Sequence, residues 1–472
     1  MLQLTVFLAL TAAIGAITWW HCRHCRRDGG DTRDFFLAGG SLNWVFVAGS
    51  LTLTNINTDT LVGWNGNQML LILWWELFGV LGLLLLAWVF LPVYYRLGCA
   101  TVTELLERRY GSRHVRATVA SLFLLGNVFV FLPVMLYTSS LFLRSLFGLE
   151  IPLLAIATGV AILGAAYAIF GGLRAVAISD TYSGVLLFGM ALLVSYLALD
   201  RVDWSFSNVP AERLTLIGDS TSLVPWPILF TGMILWQLYY WSTNQTITQR
   251  ALAATSLKEA QRGCYAAAVI RATIVPIVIA VPGLCAYQLH GELGDATYGT
   301  IVSEVLPTGL TGAFAAAMVA ATMTSFNSTL NSSAALYVCD LHLRYFNPTA
   351  NVPRISVLTS VLFALLGIAL VPAYIGAESI IQLIQQLIGV FSIPILSVFI
   401  IGLAFDGIDA RAIIATLVFG ALTYWAGTSL WGGLHFVHIG AITLLLNAVF
   451  ALAVNRLILG RRATFSRTLL PS

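Results

Sequence analysis

Charge is what this chain has least of. Only 10% of its 472 residues are charged, and Lys258 is its single lysine. Soluble domains carry about 25% charged residues, so a soluble protein is excluded, and with it the dense basic face that nucleic-acid binding needs. The six cysteines, Cys22, Cys25, Cys99, Cys264, Cys285 and Cys339, are scattered and form no disulfide framework. No polar stretch is long enough for a separate soluble domain, which removes the output module a membrane sensor usually carries. No nucleophile or metal constellation stands out, so the chain does not read as an enzyme. What it has is hydrophobic residues, 58% of the total, with a mean hydropathy of +0.87. That is the composition of a protein crossing the lipid bilayer many times.

Met1–Trp20 is apolar with no charge before it, and three arginines follow in His21–Arg27. A signal peptide carries its positive charge first. The segment therefore reads as a span, here span 0, with the N-terminus outside the cell membrane. Further apolar segments run at about 42–66, 69–96, 115–143, 151–170, 175–199, 225–243, 264–288, 310–337, 355–374, 379–404, 411–429 and 433–456, giving about thirteen spans numbered 0 to 12. On that alternation the arginines and Lys258 gather in cytoplasmic segments, while outside loops hold Arg144, Arg201 and Arg213. The positive-inside rule then puts the C-terminus in the cytoplasm. Residues 1–41 form an extra N-terminal span and connector, 42–405 a ten-helix core, and 406–472 two last helices and a tail. Pro133, Pro276, Pro282 and Pro394 are expected to kink spans 3, 7 and 10. Lys258–Gln261 reads as a short surface helix.

Polar residues inside these spans are costly and mark function. Ser50–Thr60 places two asparagines, four threonines and Asp59 in an apolar segment. Either the helix breaks near mid-membrane, freeing carbonyls and amides for an ion or solute, or it is kinked with threonines bonded to their own turn. Glu76 sits among aliphatic and aromatic neighbours and must face a partner or a cavity, or stay protonated. Asp180, near the start of span 5, is either a helix-end residue or part of a site. In span 8, Thr324, Ser325 and Ser328 share a face, as cation ligands or as small packing residues. Arg271 either snorkels to the interface or meets a polar solute. Gln382, Gln385 and Gln386 share one polar face of span 10, expected to point inward. Cys22-Arg23-His24-Cys25 lacks the second pair a zinc site needs. His435 and His438 lack the carboxylates of a di-iron site.

Several motifs together resemble the sodium:solute symporter family, whose best-known branch is the sodium–glucose cotransporters. They are Asp34-Phe35-Phe36-Leu37-Ala38-Gly39-Gly40-Ser41-Leu42; Thr54-Asn55-Ile56; Gly171-Gly172-Leu173-Arg174-Ala175-Val176 with Asp180; Asn244-Gln245 with Gln249-Arg250-Ala251-Leu252-Ala253-Ala254; Leu257-Lys258-Glu259-Ala260-Gln261; and Leu330-Asn331-Ser332-Ser333 with Asp340. They fall in family order across about 34–405. The resemblance implies an all-α, leucine-transporter-like fold of two inverted five-span repeats, coupled to sodium. It implies a sodium site made by the carbonyls of Leu53, Ile56 and Ala321 and the hydroxyls of Thr324 and Ser325. In members with a second sodium, that site maps to Asp180, Thr324, Asn327 and Ser328; Asn327 departs from the pattern. Solute contacts fall on Glu76, Gln237, Arg271 and Gln385, with Tyr240 as inner gate, its hydroxyl near Asn55. Gln237 replaces an Asn, Arg271 a Lys, Thr60 a Gln and Gly79 a Ser. The expected function is sodium-driven uptake of a small polar solute, a sugar or polyol, by alternating access, for which a monomer suffices. The rival solutes are a carboxylate such as sialic acid, or a nucleobase; a transporter-derived sensor is the rival class.

Overall fold

The structure is a computed structural model that describes residues 5–7, 9, 40–53, 55–99, 101–376, 380–431 and 433–466, with backbone alone at 53, 165–183 and 381–382. Most of span 0, the Cys22–Cys25 stretch, residues 34–39 of the first motif, Thr54 and the Asp180 side chain lie outside the described set. Among the described residues, nine helices are long and apolar enough to cross a membrane.

Span 1 is broken, as one of the two sequence readings had it. Trp44–Leu53 and Thr58–Gly66 are separate helices. Asn57 between them is extended (φ −137°, ψ −165°) and caps the second, its side chain accepting from the Thr60 amide at 3.3 Å. Asn at that position satisfies a free helix N-terminus better than it fits a helix interior. Thr60 Oγ1 closes the break by donating to the Asn55 carbonyl at 2.6 Å.

Span 2 runs Leu70–Leu97 and span 3 Arg113–Phe147, each with one π-turn, Leu86–Phe90 and Asn127–Phe131. Pro92 and Pro133 follow these turns directly. The wider turn accommodates the missing proline N–H, so Pro133 sits just beyond a bulge.

Spans 4 and 5 were expected to meet at a cytoplasmic connector, 171–174. Instead one helical element of 49 residues, Leu153–Arg201, covers both. The stretch is alanine-rich and free of proline, so nothing in it forbids helical backbone.

Span 6 is interrupted too, into Trp226–Thr231 and Met233–Leu238. Gly232 makes the joint; a Cβ there would lie 2.6 Å from the Val437 carbonyl of span 12. A π-turn, Tyr239–Thr243, then leads into the buried helix Gln245–Leu252.

Lys258–Gln261 is not a separate surface helix. It is the first turn of span 7, Leu257–His290, whose Ser256 cap accepts from the Glu259 amide. The Ser-x-x-Glu pattern starts the helix, and no proline stops it before the membrane. Span 8, Thr308–Ala335, is buried on nearly every side and continues as a π-helix, Leu336–Phe346. Val352–Leu370, Ile380–Ala404, Ala410–Leu430 and Phe436–Ala453 complete the set. A two-residue ribbon pairs Phe405–Asp406 with Thr464–Phe465.

Candidate functional site

The two broken helices meet spans 2, 3, 7 and 10 around a cavity of about 90 Å³, room for several waters or one small solute. Asn55, Glu76, Gln237, Tyr240, Arg271 and Gln385, the six positions singled out in the sequence, all line it.

Glu76 answers its own burial cost. Its carboxylate accepts from Arg271 Nη1 in a buried ion pair, with Glu76 4% and Arg271 1% exposed. Arg271 therefore turns inward rather than toward the membrane surface. Its guanidinium lies over the Trp241 ring, 4.3 Å from the centroid, a cation–π contact strengthened by the dry surroundings. The Asn55 amide sits between two partners. With its oxygen toward Arg271 it accepts from the guanidinium, and its nitrogen then donates to the Tyr240 hydroxyl. Trp241 Nε1 donates to Gln237 Oε1 at 3.0 Å and so fixes that amide. Small residues on span 2 make room for the indole. A Cβ on Gly79 would come within 3.1 Å of Trp241 Nε1, and one on Gly82 within 2.7 Å of its Cδ1.

Gln386 does not join the cavity. It is exposed while Gln385 is half-buried, because one residue along a helix turns the side chain by about 100°. The Gln382 side chain lies outside the described residues.

Opposite the span 1 break stands span 8. Ile56, Ala321, Thr324 and Ser325 are all buried, and Leu53 is described by its backbone. Thr324 Oγ1 donates to the Ala321 carbonyl at 2.8 Å, which holds two of the expected sodium-binding oxygens side by side. Thr58 ties the second half of span 1 to this face. Its hydroxyl shares hydrogen bonds with Thr322 at 2.8 Å and, on span 3, Ser139 at 3.0 Å. One turn further along span 8, both amide atoms of Asn327 and Ser328 Oγ are buried without a partner among the described residues. Asp340 is buried at the far end of the same helix. It accepts from Arg116 Nε at 2.7 Å and from the Thr101 and Thr103 hydroxyls.

Several lining residues were not singled out by sequence: Asp59, Trp64, Trp75, Phe131 and Trp236. Asp59 lay inside the polar stretch; the aromatics carry no signal that separates them from core. His438 Nδ1 bonds Thr231 Oγ1 at 2.8 Å and His435 caps Val437, both packing roles. Among the described residues no cluster of His, Cys, Asp or Glu could hold a metal.

Two interrupted helices facing a polar cavity among apolar spans are the arrangement of a secondary transporter. The sequence model of the sodium:solute symporter family matches residues 35–420, and the chain belongs to that family. It is 34% identical over 482 residues to the Escherichia coli (strain K12) uncharacterized symporter YidK, covering 96% of this chain and 83% of that one. It is 31% identical over 471 residues to the mouse sodium/myo-inositol cotransporter 2 (89% and 68%), and 30% identical over 458 residues to the Vibrio parahaemolyticus sodium/glucose cotransporter (88% and 83%). Among solved structures, a substrate-bound, outward-open sodium-coupled sialic acid symporter superposes with a TM-score of 0.83 at 18% identity, over 97% of this chain and 98% of that one. MhsT in complex with L-phenylalanine gives 0.54 at 15% identity, over 90% and 100%. The fold is the leucine-transporter-like one, and the protein is a multi-pass membrane symporter with sodium as its co-transported ion.

Proposed function

We propose that the protein takes up a sugar or polyol together with sodium by alternating access. The observation that carries this reading is the closed Glu76–Arg271 pair. With the arginine's charge already matched, the cavity offers a solute amides and a carboxylate edge rather than a free cation. That suits hydroxyls, which both donate and accept. A carboxylate solute would have to pull Arg271 away from Glu76 and leave a buried charge unmatched.

Sodium would lie where the Leu53, Ile56 and Ala321 carbonyls and the Thr324 and Ser325 hydroxyls meet, hard oxygens suited to a small hard cation. The orphaned Asn327 Oδ1 and Ser328 Oγ support a second cation position that would include Asp180. Sodium at the break would hold the outward-open form and its release would let the helices rock inward. One charge crossing ~100 mV yields about 2.3 kcal/mol, and a tenfold sodium gradient about 1.4 more, enough for roughly several-hundredfold accumulation.

The same reading assigns 42–405 to transport and the flanking helices to support, with a monomer as the working unit and no enzymatic activity. It places the N-terminus outside the cell membrane. The Phe7 ring lies 5.8 Å from Phe147, at the end of span 3 that the arginine pattern puts outside. Uptake into proteoliposomes of labelled sugars, polyols, sialic acid and nucleobases, with and without a sodium gradient, tests the solute and its coupling to sodium. Sodium-driven uptake of a sugar or polyol supports it. Sodium dependence for none of them removes the coupling, and uptake of sialic acid alone removes the sugar.

A further inference from the structure

Positive charge gathers at one end of spans 11 and 12 without acids to match it. After Asp409 the sequence has no acidic residue, while Arg411, Arg456, Arg461, Arg462 and Arg467 follow. Asp406, just before, is engaged by Arg109. Asp409 caps span 11, one oxygen accepting from the Arg411 amide at 2.8 Å, and its other oxygen lies 3.4 Å from Arg461 Nη1. Arg411, Arg456 and Arg462 are exposed, with no ion-pair partner among the described residues.

These arginines stand on a fixed base. Asn455, wholly buried, joins the end of span 12 to the start of span 11. Its Oδ1 accepts from the Asp409 amide at 2.8 Å, and its Nδ2 donates to the Gly407 and Arg461 carbonyls, each at 3.2 Å. Past Arg462, the ribbon with Phe405–Asp406 and the Ser466 amide, which donates to the Ala404 carbonyl at 2.8 Å, hold the chain against the end of span 10. Beside the arginines, Leu457, Ile458 and Phe465 are 82%, 74% and 75% exposed. Apolar side chains so bare at the end of a span belong among acyl chains, which puts the neighbouring arginines at the level of the headgroups.

We propose that Arg411, Arg456, Arg461 and Arg462 form a binding site for the phosphate of an anionic lipid headgroup. The guanidinium fork matches phosphate oxygens, and a lipid with net negative charge supplies what the missing acids do not. A soluble anion would leave Leu457, Ile458 and Phe465 unused. An acidic protein segment would have to displace lipid from them. The site is independent of the solute and of the sodium positions.

The test counts lipids bound to full-length protein in detergent by native mass spectrometry, with phosphatidylglycerol, phosphatidylcholine and inorganic phosphate as probes. The wild type is expected to bind a first phosphatidylglycerol at least about tenfold more tightly than phosphatidylcholine, and less so as salt is raised. Arg456→Gln with Arg462→Gln should bring the two lipids to within about threefold. Arg96→Gln with Arg354→Gln removes the same charge from exposed positions elsewhere and should keep the preference. An unchanged melting temperature in phosphatidylcholine micelles shows that the variants fold. A wild type indifferent to headgroup charge or to salt overturns the proposal, with no variant needed. So does a preference that survives Arg456→Gln with Arg462→Gln, or that falls equally in the control pair. Inorganic phosphate that displaces phosphatidylglycerol at equal concentration would make the occupant a soluble anion and overturn the lipid.

Discussion

Removing one partner of the Glu76–Arg271 pair is expected to do more damage than removing both. Both side chains are almost wholly buried, and breaking a buried pair by deleting one partner costs about 3–5 kcal/mol, because an unmatched charge stays behind. In Glu76→Gln the guanidinium keeps the Asn55 amide and the Trp241 face. Since a desolvated cation–π contact is worth about 2 kcal/mol, the loss should fall near the low end, about 3 kcal/mol. In Arg271→Met the carboxylate loses its ion-pair partner, and the loss should approach about 5 kcal/mol. The double variant Glu76→Gln with Arg271→Met removes both charges and should return to within about 1 kcal/mol of wild type. Unfolding free energies from detergent titration of purified protein, followed by tryptophan fluorescence, measure this cycle. Solute binding should be lost in all three variants, with sodium affinity retained. A Glu76→Gln variant as stable as wild type, or a double variant no better than the worse single, would show that the pair is not closed and would undo the argument for an uncharged solute.

Ser325→Ala should raise the sodium concentration for half-maximal uptake by about tenfold or more, since it deletes one oxygen of the proposed cradle; an unchanged requirement rejects that assignment. Asn65→Ala should destabilise the protein by roughly 1–3 kcal/mol, because Asn65 Nδ2 donates to the Val278 carbonyl at 3.1 Å and its Oδ1 accepts from the Gly283 amide at 2.8 Å; the same unfolding titration reads it. Asp295, outside the membrane, accepts from the Ile380 amide at 3.2 Å, and burial pushes its carboxyl up to about 6 from 3.8. The native state thus holds this proton more tightly than the unfolded chain, so its ionisation weakens the fold as pH rises from about 4 through 6. The difference, 6 − 3.8, amounts to at most about 3 kcal/mol. Asp295→Asn should flatten the gain in stability seen on acidifying from neutral pH; parallel pH profiles for variant and wild type would contradict it.

Polarity in the wrong solvent made part of this site legible in the sequence. Glu76 had to face a partner or a cavity, or stay protonated, because a carboxylate cannot face lipid, and Ser50–Thr60 had either to break its helix or to kink it. Which partner Glu76 has was not legible, since Arg271 lies 195 positions away and no local pattern links them. Trp241 looked like any core aromatic, and its place over the guanidinium comes from Gly79 and Gly82 on another span. The break at Gly232 was hidden for the same reason. A glycine in an apolar run means little until the Val437 carbonyl is seen against it. The start of span 7 was missed although its signal was present, Ser256 and Glu259 at capping-box spacing. The motif's surface charge outweighed the helix start it announces. Gln386 failed because a shared polar face was given too wide an arc.

Prolines show how these helices hold each other once their own bonds are broken. Pro282 has no N–H for the Val278 carbonyl four residues back, and Asn65 of span 1 donates to it instead. The Phe129 carbonyl, in the π-turn before Pro133, accepts from the Tyr374 hydroxyl. Beyond the π-turn of span 2, Pro92 cannot serve the Ala87 carbonyl, and Gln261 Nε2 donates to it at 2.9 Å. In hydrocarbon no water is at hand to satisfy an orphaned carbonyl, so each proline creates an obligation that only another helix can meet. Each such bond joins segments far apart in the chain, and each lies beside a proline. A helix tied in this way shifts at its proline only if its neighbour moves with it. That coupling is what a transporter needs if sodium at one break is to govern access to a cavity lined by six spans.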